Sequence, residues 1–116
     1  MTPTTLHHSS IRVSDLTRSI EFYEGLLGLR PIPRPDFGFP GRWYGIGGGQ
    51  LHLIQGDVAQ TPLDPSGPHF AIAVADLDAA RRELADAGVA TLDPGGSQLW
   101  LQDPDGNIIE ITNAPL

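Results

Sequence analysis

The chain has no cysteine, and that single absence excludes disulfide bridges, thiolate metal sites and a cysteine nucleophile. Its seven basic residues are all arginines, so a Schiff-base lysine is excluded too. Fourteen Asp and Glu outnumber them, giving a formal net charge of −7 and a pI near 4.7. A protein that grips a phosphate backbone carries a basic patch, so this balance argues against a nucleic-acid partner. No run of about eighteen apolar residues is available to span a membrane. The opening stretch from Met1 to His8 lacks the basic and apolar regions of a secretory leader. The expectation is a cytoplasmic protein that meets no membrane, and any metal it holds must rest on His, Asp or Glu.

What is present is turn chemistry. In 116 residues there are 14 glycines and 11 prolines against 40% hydrophobic residues, a composition for short elements and many turns within one domain's worth of chain. Gln98 to Ile111 shows it best. Two apolar runs flank Asp103-Pro104-Asp105-Gly106, where proline presets φ and glycine accepts a positive one, predicting a β-hairpin. Period two puts Ile109 and Ile111 on one face, with Glu110 and Ile108 on the other. A carboxylate in so apolar a strand requires water, an arginine or a metal, because an unpartnered buried charge is very costly.

Upstream, Leu6 to Val13 alternates as a strand. Ser14-Asp15 supplies an N-cap, Leu16, Ile20, Tyr23 and Leu27 form a helical stripe, and Gly28 ends it. Leu29 to Ile32 reads as a short strand and Pro33 to Gly41 as a loop whose Phe37 and Phe39 can cover a pocket. Arg42 to Ile46 and Gln50 to Ile54 read as a hairpin about Gly47 to Gly49, and Asp57 to Pro68 as a loop. The pattern then restarts. His69 to Leu77 repeats His8 to Leu16 at an offset of 61, matching at five of nine positions. Asp76 caps the second helix, striped by Leu77, Ala80, Leu84 and Ala87 and ended by Gly88. Aligning Leu51-His52-Leu53 with Ile109-Glu110-Ile111 places His52 where Glu110 stands.

The predicted architecture is α+β: residues 1–116 form a single domain of two tandem βαβββ modules, about 6–56 and 68–113, joined by a Pro/Gly-rich linker. The modules are expected to build a curved mixed sheet around a concave metal and ligand pocket. The apolar parity of each module must pack on its helix. His8, His52, His69 and Glu110 all fall on the opposite parity at two pairs of equivalent positions; if the two copies pair about a pseudo-twofold axis, the four can converge. Three imidazoles and a carboxylate suit a divalent Zn, Ni, Co, Mn or Fe ion. His7 is set on the helix side or a frayed end. By the same parity Ser10, Arg12, Gln50, Ala71, Ala73, Trp100, Gln102 and Ile108 line the concave face, joined by Trp43 or Tyr44. Arg12, Trp43, Trp100 and Gln102 are the candidate substrate contacts.

His8 through Tyr23, with Val13-Ser14-Asp15-Leu16, Phe22-Tyr23 and Leu27-Gly28, together with Asp103 through Glu110, resembles the vicinal oxygen chelate superfamily. That superfamily includes glyoxalase I, extradiol dioxygenases, fosfomycin resistance enzymes and bleomycin-binding proteins. The resemblance implies metal ligands at His8, His52, His69 and Glu110. It also implies a metal-dependent lyase or isomerase of glyoxalase type, acting on a small vicinally oxygenated substrate through a metal-stabilised enediolate. Glu110 and His52 are then the candidate catalytic bases. Glyoxalases and epimerases usually carry Glu or Gln where this chain has His52. Two alternatives follow: an Fe(II) extradiol-type dioxygenase using His8, His69 and Glu110, and a bleomycin-resistance-like binding protein without turnover. Open sheet edges and an exposed concave face point to a homodimer.

Overall fold

The computed structural model describes all residues, Met1–Leu116. The chain divides into two compact units, Met1–Ala59 and Gln60–Leu116, and each builds the same motif. In the first, β1 (His8–Val13) leads into a helix, α1 (Leu16–Ile20), followed by β2 (Arg30–Ile32), β3 (Gly41–Ile46) and β4 (Gly49–Gln55). The second runs β5 (Phe70–Ala73), α2 (Leu77–Asp86), β6 (Thr91–Leu92), β7 (Gln98–Gln102) and β8 (Ile108–Thr112). The sheet orders correspond, β1-β4-β3-β2 and β5-β8-β7-β6, each with one parallel pair (β1 with β4, β5 with β8) and otherwise antiparallel pairing. No helix is long and apolar enough to cross a membrane.

The duplication extends to the details. Asp15 Oδ1 accepts from the Arg18 amide at 3.2 Å and Asp76 Oδ1 from the Ala79 amide at 2.9 Å, so both helices begin on the expected aspartate. Gly28 and Gly88 end the helical segments with φ of 67° and 72°, a conformation that costs glycine nothing. His52 pairs with Ser10 and Glu110 with Ala71, and those two partners are again 61 residues apart.

The first helix departs from expectation. Only Leu16–Ile20 is α-helical, and Glu21–Leu26 continues it as a π-helix, with the Leu27 amide reaching back five residues to the Phe22 carbonyl at 3.1 Å. Of the expected stripe only Tyr23 is fully buried, joined by Ser19, while Leu16, Ile20 and Leu27 are partly buried. Gly25, a poor α-helix former, sits inside the wide turn. The π segment also carries Glu24 toward β3, where it accepts from Arg42 Nε at 2.9 Å, Arg42 Nη2 at 3.1 Å and the Tyr44 hydroxyl at 3.0 Å. The Arg42 hydrogen bonds hold the Glu24 carboxyl below its ordinary range, and burial pushes the Tyr44 hydroxyl up.

In the second unit the apolar parity is buried as expected: Leu99 opposite Ile111 and Leu101 opposite Ile109, with Leu77 and Leu84 turned inward from α2. The hairpin turn is built on Asp103, whose carboxylate accepts from the Asp105 and Asn107 amides and the Asn107 side chain, each at 2.9 Å. Gly106 has φ of 88°, and a Cβ there would stand 2.7 Å from Gln60 Oε1. The doubled unit calls for a strand between α2 and β7, and the structure supplies it as Thr91–Leu92, too short to carry a periodicity of its own.

Candidate functional site

Strand register decides which side chains share a face. Trp43 stands opposite His52 across β3 and β4, and His52 stands opposite Ser10 across β4 and β1, two residues along from His8. Period two therefore places Trp43, His52 and His8 together. Their rings form a continuous stack: His8 and His52 centroids lie 4.1 Å apart with planes 15° apart, and Trp43 lies 4.1 Å from His52 on its other side at 6°. Tyr44 takes the opposite face and is fully buried against Tyr23, which resolves the register across the glycine turn in favour of Trp43.

Sandwiched this way, His52 is buried. Burial first, then the neighbouring His8, His7 and Arg34, holds it below the ordinary imidazole range, so it stays neutral, the form that ligates a metal or accepts a proton. Its Nε2 lies 2.8 Å from Gln50 Oε1. When Nε2 donates to that oxygen, Nδ1 is left with its electron pair. His7 lies exposed just before β1: its Nδ1 is 2.8 Å from His8 Nδ1, with the rings edge to face, and its carbonyl accepts from the Gln50 amide at 3.0 Å.

The second unit presents a different pair. His69 Nε2 lies 3.3 Å from Glu110 Oε1, and His69 Nδ1 lies 2.8 Å from the Gly67 carbonyl oxygen. A carbonyl can only accept, so Nδ1 carries the proton and a neutral His69 turns the lone pair of Nε2 toward the carboxylate. Two electron pairs facing one another at this distance call for a proton or a cation between them. The fixed Nδ1–H···O=C bond is also the support that orients an imidazole for metal binding. The donors thus fit a divalent cation in chemical type, although neither unit alone gathers three of them.

Trp100 stands directly opposite Glu110 across β7 and β8. It is buried, and its Nε1 has no hydrogen-bond partner. Gln102 directs Nε2 to the Thr61 carbonyl at 2.7 Å and the Gly106 carbonyl at 3.1 Å, fastening the hairpin turn. Arg12 is exposed on β1, its aliphatic stem beside Gly56. A residue the sequence did not single out is Arg34, whose charge reaches His52 from the loop between β2 and β3. Its neighbours in sequence are prolines and an aspartate without strand or helix period, so no pattern marked it.

Comparison with known proteins is consistent with this arrangement. The chain is similar to Glyoxylase I 4 of Arabidopsis thaliana, 32% identical over 126 residues covering 95% of this chain and 71% of that protein. It is also similar to the metallothiol transferase FosB of Shouchella clausii, 27% identical over 122 residues covering 96% and 81%. A solved structure of the fosfomycin resistance protein FosX of Listeria monocytogenes, a variant complexed with Mn(II) and 1S,2S-dihydroxypropylphosphonic acid, superposes with a TM-score of 0.78. It covers 99% of this chain and 96% of that one at 18% identity, a likeness of fold. A model of the Glyoxalase/Bleomycin resistance protein/Dioxygenase superfamily matches residues 5–111. With the doubled βαβββ motif, that match establishes that the chain belongs to the Glyoxalase/Bleomycin resistance protein/Dioxygenase superfamily.

Proposed function

We propose that the protein is a metal-dependent enzyme of glyoxalase type, a lyase or isomerase acting on a small substrate with oxygens on adjacent carbons. His8, His52, His69 and Glu110 would hold one divalent cation of the Zn, Ni, Co, Mn or Fe kind. The observation that carries this reading is His69 Nε2 facing Glu110 Oε1 at 3.3 Å while Nδ1 is tied to a carbonyl, a pair of electron donors directed at one place. When bound, the cation would polarise the substrate oxygens and make the C–H beside a carbonyl more acidic. The chain's own residues supply the rest. Glu110 is the carboxylate of the set and serves as the base that takes that proton, and neutral His52 is the second candidate. Trp43, stacked on His52, and Trp100, opposite Glu110, would supply apolar walls, with Arg12 as a further contact; Gln102 is committed instead to its hairpin turn. Active as a homodimer, the protein would run in light scattering at twice its 12.4 kDa protomer mass.

The test is metal uptake followed by calorimetry on protein purified without chelator. Stoichiometric binding of Zn, Ni or Mn, weakened by His8→Ala and Glu110→Gln, is the expected result. No uptake by the wild type would overturn the reading. Fe(II) oxygen chemistry is a second reading favoured by one observation: His52 Nε2 is already within hydrogen-bonding distance of Gln50 and its ring is enclosed on both sides. His52 would then support turnover without binding metal. His52→Ala separates the two, since loss of metal marks a ligand and retained metal with lost turnover marks a base.

A further inference from the structure

Arg34 lies on the same face as the ring stack. Gly41 shares the parity of Trp43 along β3, and Trp43 is the residue opposite His52, so a side chain at position 41 would project on the His52 face. A Cβ there would meet Arg34 Cζ and Nε at 2.8 Å each. The guanidinium therefore rests where glycine leaves the strand bare. Its Cζ stands 5.0 Å from the Phe37 ring centroid and 5.1 Å from that of Phe39. The two phenyl rings stack at 5.8 Å, and Phe37 lies 6.0 Å from Trp43. One row of rings thus runs from the guanidinium to the imidazoles of His52 and His8.

This cation has no anion. Arg42 pairs with Glu24, and Arg81 with Asp78 and Asp93. Arg34 makes one hydrogen bond, from Nη2 to the Phe39 carbonyl at 3.1 Å, and its Nε is buried without an acceptor. In a chain with fourteen carboxylates, a guanidinium held among aromatic rings with donors unused is a feature a stable fold does not require. Cation–π contacts offset part of its desolvation but satisfy none of its N–H groups. A planar fork of donors matches a carboxylate or a phosphonate.

We infer that Arg34 is the anion-recognising, specificity-determining residue of this site, and that the substrate carries a carboxylate or phosphonate beside its vicinal oxygens. Phe37 and Phe39, themselves half exposed, hold the guanidinium over their rings and fix its direction, leaving its outer donors open to a ligand. The inference rests on the proposed function for the location of the reacting centre, but the recognition itself belongs to Arg34 and its cage.

The experiment is calorimetric titration of the full chain with glycolate, hydroxymethylphosphonate and neutral glycolamide, each with and without Mn(II). The wild type is expected to prefer at least one anion over glycolamide by about tenfold or more. Whichever anion binds more tightly identifies the group. Arg34→Gln should abolish the preference while leaving glycolamide binding unchanged, and Arg34→Lys, which keeps the charge but not the fork, should retain only part of it. A loop-pinning role alone would shift all three ligands together. An anion preference intact in Arg34→Gln, or absent from the wild type, overturns the inference. Should Arg34→Gln not fold, as judged by circular dichroism, undiminished preference in Arg34→Lys serves as the refuting result. Failure to take up Mn(II), with an Arg34-dependent preference that persists, would refute the metal reading and leave this one standing.

Discussion

Glu110→Gln should move stability in opposite directions with and without metal. In the metal-free protein His69 Nε2 faces a carboxylate oxygen 3.3 Å away, with Nδ1 committed to the Gly67 carbonyl. If a cation belongs between the two groups, Nε2 has a lone pair free in its absence, and a glutamine amide would donate to it in a hydrogen bond worth about 0.5–1.5 kcal/mol. His69 is 25% exposed and Glu110 17%, so the lower half of that range applies and the gain is about 0.5–1 kcal/mol. With metal present the sign reverses. A ligand at a hundred times its dissociation constant stabilises by about 2.7 kcal/mol, and each tenfold loss of affinity removes about 1.4 kcal/mol of that. The assay is urea unfolding of both proteins in the same buffer, once in chelator and once in excess Zn. The variant should be the more stable in chelator and the less stable in Zn. If it is the less stable in chelator as well, His69 and Glu110 form a plain ion pair and the argument for a cation between them fails.

Glu24→Gln should lower stability at pH 7 by about 1–2 kcal/mol, the charge-assisted bonds from Arg42 being discounted for their partial exposure, or about 5 °C per kcal/mol in melting temperature. Because the Arg42 hydrogen bonds hold the folded carboxyl below the ordinary carboxylate range, its contribution is complete above that range and disappears as pH falls through the lower folded value. The gap between wild type and variant should therefore close on acidification, and a pH-independent gap would refute the assignment. Gly106→Ala combines a φ of 88° with a Cβ 2.7 Å from Gln60 Oε1. It should cost about 1–3 kcal/mol in chemical denaturation, whereas Gly48→Ala, with open space around its Cβ, should cost far less. Removal of either helix cap, Asp15→Ala or Asp76→Ala, should cost about 0.5–2 kcal/mol; helical content measured by circular dichroism would show whether each loss is local.

Much of the architecture was legible from residue pattern. Asp15 and Asp76 before their helical stripes, Gly28 and Gly88 after them, and the turn at Asp103 to Gly106 are local signals, each governed by backbone chemistry within a few residues. The offset of 61 between His8 and His69 carried the topology, because one supersecondary unit written twice folds the same way twice. The π segment from Glu21 to Leu26 was not legible, since its spacing of apolar residues fits an α-helix equally well.

The same division holds for the site. Period two put His8, His52 and Glu110 on the parity away from the helix, and the absence of cysteine limited any metal to His, Asp and Glu ligands. It could not choose between Trp43 and Tyr44, because the register across a run of glycines is set by hydrogen bonding between strands. Nor could it show that Gln102 fastens a turn or that Arg34 lies over Gly41 within a cage of phenylalanines. The sequence alone determined which way a strand residue faces, since that follows from the geometry of one extended chain. What each side chain touches once it faces there depends on segments many residues away, and only the tertiary structure decided it.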